Sequence, residues 1–160
     1  MRGLPFKRAR KRLTNYKKRI KLLSGKIPRM VIRRFLKNIS VQIIDYKPLG
    51  DIVLADAHSR ELIKFGWHGH RGNTTSAYMV GLLCGTRALK KNIKKVILDI
   101  GTQPSVKGSV IYAALKGALD AGLEIPCKLE ELPNEIRIKG NYHDFEQLKD
   151  AIIKEKTSRG

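Results

Sequence analysis

The stretch RMVIRRFLKNISVQIIDY, residues 29–46, decides the fold. Two β-branched runs, Arg29–Arg34 and Ile39–Tyr46, flank a Lys37-Asn38 turn. Val and Ile favour extended backbone because their branched Cβ packs well on a pleated surface. In the second run Ile39, Val41 and Ile43 alternate onto one face and Gln42 onto the other, as in a half-buried strand. Pro48-Leu49-Gly50 then turns the chain into a third run, Asp51–Ala55. The spacing predicts an antiparallel meander.

Working outward, Ser59–Phe65 reads as a short helix and Gly66–Gly72 as a glycine-rich loop. Thr74–Lys91 predicts a long helix with Asn73 or Thr74 as its cap. Val96–Ile100 is a short apolar run; reached through a helical crossover, it makes the sheet mixed. Ser109–Ala121 predicts a further thin-sided helix, capped by Ser109 and ended by Gly122. Residues 123–141 read as irregular, and a last helix runs over about His143–Lys156. Upstream, Leu13, Tyr16, Ile20 and Leu23 form a helical stripe over 13–24, closed by Gly25 and Pro28. The expected fold class is α/β: a mixed β-sheet packed with helices, preceded by a basic N-terminal arm and helix. Residues 1–26 are the arm and helix, 27–160 the α/β domain.

The charge is unevenly placed. The 160 residues hold 33 Lys+Arg against 14 Asp+Glu, a net +19. Residues 1–40 carry 15 of those cations and no acid, which leaves only +4 for the rest. Such a block repels itself unless a polyanion neutralises it. Nucleic acid is the first candidate partner and an acidic membrane surface the second. The second ranks last, since 13–24 has only four large apolar positions and no run approaches the ~20 residues of a span; no membrane partner is expected. No apolar segment of the signal-peptide kind follows the basic start. Two cysteines, Cys84 and Cys127, are too few for a disulfide scaffold.

The polar residues admit rival readings. Asp45, Asp51, Asp56 and Asp99 sit near strand ends, where paired carboxylates could hold metals for a metal-dependent nuclease acting on structured RNA. Their spacing fits no catalytic pattern, and Asp is common at turns. No catalytic residue, metal or cofactor is therefore expected. His68 and His70, with His58 nearby, make a poor zinc site but suit anions beside Arg71. Lys107 precedes a predicted helix N-terminus, whose free N–H groups attract phosphate; Gly72-Asn73-Thr74 beside Arg71 offers the same. Gly69–Gly72 is also a GxxG, and Gly81-x-x-x-Gly85 signals close helix packing. In the arm, Lys and Arg neutralise phosphates, and Tyr16 can stack or donate. Aromatic residues total 6%, too few for a base-stacking platform, so a structured RNA read by shape and backbone fits best.

Thr14-Asn15-Tyr16-Lys17-Lys18-Arg19 followed by Pro28-Arg29-Met30-Val31-Ile32-Arg33 resembles the start of the large-subunit ribosomal protein L eighteen family, of archaeal and eukaryotic type. The likeness continues through Gln42–Tyr46, Gly50-Asp51, His58–Leu62, Gly66-Trp67, Gly72–Thr74 and Gly81–Leu83. It extends to Leu98–Gly101, Lys107-Gly108 and Ala114–Gly122. The resemblance implies a non-enzymatic protein of the cytoplasmic ribosome that binds 5S rRNA and bridges it to the large-subunit rRNA in the central protuberance. Neighbouring large-subunit ribosomal proteins are implied partners, and Lys7 through Lys26 the main RNA contact. The expected RNA-binding residues are Arg8, Arg10, Lys11, Arg12, Asn15, Tyr16, Lys18, Arg19, Arg29, Arg33, His68, His70, Arg71 and Lys107.

Overall fold

The computed structural model describes residues 6–155. Arm residues 1–5 and the expected helix end at Lys156 lie outside them. Two short helices come first, α1 (Lys7–Arg10) and α2 (Tyr16–Ser24). The meander follows as β1 (Arg29–Arg34), β2 (Ile39–Asp45) and β3 (Ile52–His58). A 3₁₀ turn, Glu61–Phe65, leads to α3 (Thr74–Lys90), then β4 (Ile97–Asp99) and α4 (Val110–Asp120). The region read as irregular holds a 3₁₀ turn, Leu129–Glu131, and a short helix, α5 (Glu135–Lys139), before α6 (Phe145–Glu155).

The four strands run in the order β3-β2-β1-β4, antiparallel through the meander and parallel between β1 and β4. The mixed sheet expected from the crossover is thus present. One face of it is apolar: Met30, Ile32, Ile39, Val41 and Ile43 are completely buried. Onto that face pack α3 and α4, bringing Met79, Leu82, Leu83 and Leu115. At roughly 25 cal/mol per Å² of apolar area this layer is the main stabilising term. Gly81 and Gly117 set the closeness of α3 and α4: a Cβ on Gly81 would strike the Ala114 carbonyl, and one on Gly117 the Tyr78 carbonyl. The Gly81–Gly85 reading as helix packing therefore holds.

The other sheet face is not apolar. By the same alternation it presents Arg29, Val31 and Arg33 of β1, Ser40, Gln42 and Ile44 of β2, and Asp99 of β4. This polar face receives α2.

Strand direction sorts the loops. Because β1 and β4 are parallel and α3 and α4 return antiparallel to them, both helix N-termini share one end of the sheet. The β1–β2 turn, the 66–72 loop and the 101–108 loop lie at that end too.

Candidate nucleic-acid interface

The arm folds by local rules. Asn15 Oδ1 accepts from the Lys18 N–H at 3.1 Å and caps α2. The helix therefore begins at Tyr16 rather than at residue 13. Arg8 Nε donates to Thr14 Oγ1 at 3.1 Å, and Phe6 lies against Tyr16 with ring centroids 5.3 Å apart. The expected apolar stripe is only partly covered: Tyr16 and Leu23 are half-buried. Leu13 is 57% exposed and Ile20 is 67% exposed. The helix instead turns Lys18, Arg19 and Leu22 toward the sheet, because the surface it meets is itself charged.

That charged surface is organised by Arg29. Its side chain is 4% exposed. Nη1 donates to Asp99 Oδ2 at 2.8 Å and Nη2 to Asp51 Oδ2 at 2.8 Å. Arg19 on α2 reaches the same Asp51 oxygen at 3.0 Å. The other Asp99 oxygen accepts from the Gly101 N–H at 2.8 Å. A ladder of alternating charge thus runs from the arm, through the meander, to the end of β4. Arg33 donates to the Ile32 and Asp99 carbonyls at 3.0 and 3.2 Å. Its guanidinium lies against Gly101, whose φ of +62° suits glycine.

Between arm and sheet lies a cleft of about 210 Å³ lined by Arg8, Asn15, Lys18, Arg19, Arg29, Arg33 and Gly101-Thr102. A wider groove of about 740 Å³ runs beside it, past Arg12, Tyr16, Lys17 and Gly101–Gln103. Most of the expected site residues near the arm, Arg8, Arg12, Asn15, Tyr16, Lys18, Arg19, Arg29 and Arg33, are therefore brought together, with two qualifications of role. Arg29 is an internal counter-ion rather than a surface cation, and Asn15 spends its carbonyl on the cap. Arg10 and Lys11 are exposed and line neither cleft.

A second cluster forms at the strand end. Lys37, Ile63, Trp67, His68, His70 and Arg71 line a cleft of about 430 Å³. His70 Nδ1 accepts from the Gly72 N–H at 3.1 Å and shapes the loop. His58 does likewise for the Arg60 N–H, and burial followed by nearby Arg60 lowers its pKa. Lys37 was missed; only its place at the hairpin tip pointed to it. Asn73 Oδ1 accepts from the Ser76 N–H, so the α3 N-terminus is capped by its own chain. Lys107 stands apart from both clusters, exposed and 3.8 Å from Glu130. Ser109 occupies the N-cap of α4 but makes no capping bond.

Three of the four acids have structural partners: Arg29 lies between Asp51 and Asp99, and Asp45 pairs with Lys47 at 3.3 Å. At Asp56 it is the backbone carbonyl that accepts from Arg87. Among the described residues no three His, Cys, Asp or Glu side chains gather as a metal site would require. No described helix is long and apolar enough to cross a membrane.

The fold is an α/β domain with a cationic arm docked on the polar face of its sheet. The chain belongs to the family of ribosomal large subunit proteins 60S L5 and 50S L18, whose pattern matches residues 3–96, more than half its length. The match takes in the arm, the whole meander and α3, and stops before β4. Membership gives the chain a structural role in the large ribosomal subunit, with rRNA and ribosomal proteins as its partners.

Proposed function

We propose that the protein binds 5S rRNA and helps attach it to the large-subunit rRNA at the central protuberance of the cytoplasmic ribosome, beside neighbouring large-subunit ribosomal proteins. Residues 1–26 act as the RNA-binding arm and 27–160 as the body that presents it. The observation that carries this reading is the arm cleft: exposed Arg8, Arg12 and Lys18 stand around Gly101-Thr102, on a helix tied to the sheet through Arg19 and Asp51. Lys and Arg there displace condensed counterions from phosphates, and Arg can fork onto a phosphate or a guanine edge. Half-buried Tyr16 lies tilted against Phe6, with its hydroxyl available as a hydrogen-bond donor. The loop cluster of His68, His70 and Arg71 supplies a second phosphate contact, and Lys107 an outlying one. No step of this role requires a catalytic group.

Filter binding to 5S rRNA tests it. Contact with 6–10 phosphates makes affinity fall by roughly 10³–10⁵ between 50 and 200 mM salt, taking the duplex-DNA estimate. A variant carrying R8E and K18E should bind weakly and with a shallower salt response. A flat salt response of the native chain, or undiminished binding by the variant, refutes the reading.

A further inference from the structure

The first forty residues are not the only acid-free run. Residues 62–98 hold seven Lys or Arg and no Asp or Glu. Arg87 apart, which lies within α3, the fold separates these cations into two groups. Lys64 and Arg71 stay where β3 ends and α3 begins, while Lys90, Lys91, Lys94 and Lys95 are carried to the opposite end of the sheet. Helix α3 is the spacer: its 17 residues, at ~1.5 Å each, span roughly 25 Å.

The far group stands on a fixed turn. Asn92 adopts φ +58°, a conformation Asn tolerates better than most residues. The N–H groups of Lys91, Asn92 and Ile93 donate back to the Ala88 and Leu89 carbonyls. Ile93 packs against the core, and Lys91 Nζ donates to the Leu54 carbonyl. The Lys94 carbonyl accepts from Glu124 N–H, and Val96 N–H donates to the Glu124 carbonyl. Lys94 and Lys95 are thus exposed side chains on a backbone pinned from both sides.

Cations at a helix C-terminus stabilise its dipole. That accounts for Arg87, Lys90 and Lys91 but not for Lys94 and Lys95, which lie beyond the last turn. The acid placed beside them is Glu124, whose contact is through its backbone. The turn itself presents no exposed apolar side chain; those at this end, Tyr46, Leu49, Ile52 and Val53, belong to the β2–β3 turn and the start of β3. Protein interfaces are depleted in Lys and anchored by aromatic and apolar side chains. A pair of unscreened lysines on a rigid turn suits a phosphate backbone instead.

We propose that the α3–β4 turn, through Lys94 and Lys95 with Lys91 bracing them, is a second RNA-phosphate contact that holds a duplex other than the RNA against the arm. The proposal rests on the rRNA-binding reading above and names the surface by which one protein can touch two RNA segments at once.

A gel-shift titration with the full chain tests it. Labelled 5S rRNA is bound first, and a short unlabelled RNA duplex is then added to form a ternary complex. K94E/K95E should leave the binary complex within about twofold of native, weaken duplex capture about tenfold or more, and make its salt slope shallower by about 1.8, at 0.9 per phosphate. K94Q/K95Q, a milder change on the same backbone, should weaken capture in the same direction by less. Undiminished duplex capture by both variants overturns the proposal. So does an equal loss of both complexes, since the lysines would then serve the RNA already on the arm. Failure of the native chain to bind 5S rRNA refutes the earlier reading instead; direct duplex binding by native chain and variants then decides for or against the turn by the same criterion.

Discussion

Asp99→Ala isolates the residue on which the arm's docking surface depends. Asp99 accepts from Arg29 Nη1 and from the Gly101 N–H, both at 2.8 Å, and its side chain is only 9% exposed. Removing it leaves the almost fully buried Arg29 with Asp51 as its one carboxylate partner. Breaking a buried pair by deleting one member costs about 3–5 kcal/mol, because the other charge stays desolvated. For a domain of this size each kcal/mol lowers Tm by roughly 2–4 °C, so a fall of at least about 6 °C is expected. Asp51→Ala should behave differently. That side chain is 28% exposed, Arg29 keeps Asp99, and Arg19 is 41% exposed. The Arg19 contact lies in the range of about 0–1 kcal/mol found for exposed pairs. Asp51→Ala should therefore lower Tm less than Asp99→Ala, yet speed tryptic cleavage within the arm. Thermal melts and timed proteolysis of the native chain and both variants give the comparison. An Asp99→Ala cost below about 1 kcal/mol, or a larger cost for Asp51→Ala, would refute the ranking, because burial sets it.

Two further perturbations test other layers. Gly81→Ala places a methyl group against the Ala114 carbonyl where two helix backbones meet, and overpacking of this kind costs about 3 kcal/mol; a urea midpoint unchanged from native would contradict the helix contact. Acid should weaken the fold through Glu61 and His58. Burial alone would raise the Glu61 carboxyl, but hydrogen bonds from Arg87 at 2.7 Å and the His58 N–H at 2.8 Å outweigh it and hold the pKa below 4.5. Its contribution is present above 4.5 and is lost as pH falls through the depressed folded value. Burial and then Arg60 lower His58 below 6.5, so its contribution also fades with acid, starting at that higher pH. Urea midpoints between pH 3 and 8 should fall toward acid, and Glu61→Gln should flatten chiefly the limb below 4.5.

The meander was legible because its alternation had a physical cause that acts within a few residues. Ile39, Val41 and Ile43 are buried for the reason their period suggested. Helix α3 and its glycines were legible for a similar reason, since one face of each turn must meet another backbone. The arm helix was misread at Leu13 and Ile20 because a stripe argument assumes an apolar receiving surface. The surface here is the polar face of β1 and β4, so Arg19 and Leu22 turn inward instead. Along the chain Arg29 is one more cation in a cationic block, which is why it reads as a candidate RNA contact. Its buried partner Asp99 is 70 residues away and becomes adjacent only through the parallel register that pairs Val31 with Asp99. Helix α5 and the Leu129–Glu131 turn were too short to show periodicity.

The place of Asp51 in the ladder bears on how an arm with so many cations stays docked. Fixing a residue's backbone costs roughly 1–2 kcal/mol, a cost that falls on RNA binding when a segment orders only at that moment. Here the Asn15 cap and the Arg19–Asp51 contact order part of the arm beforehand. The two cations that share Asp51 are unequal: Arg29 is buried, and Arg19 is two-fifths exposed. A phosphate that draws Arg19 away leaves Asp51 bonded to Arg29, so no buried charge is stranded. The reverse exchange, taking Asp51 or Asp99 from Arg29, leaves a buried guanidinium with one carboxylate in place of two. The ladder is therefore loose at its arm end and tight at its core end, as a surface that releases a cation to a ligand without unfolding requires.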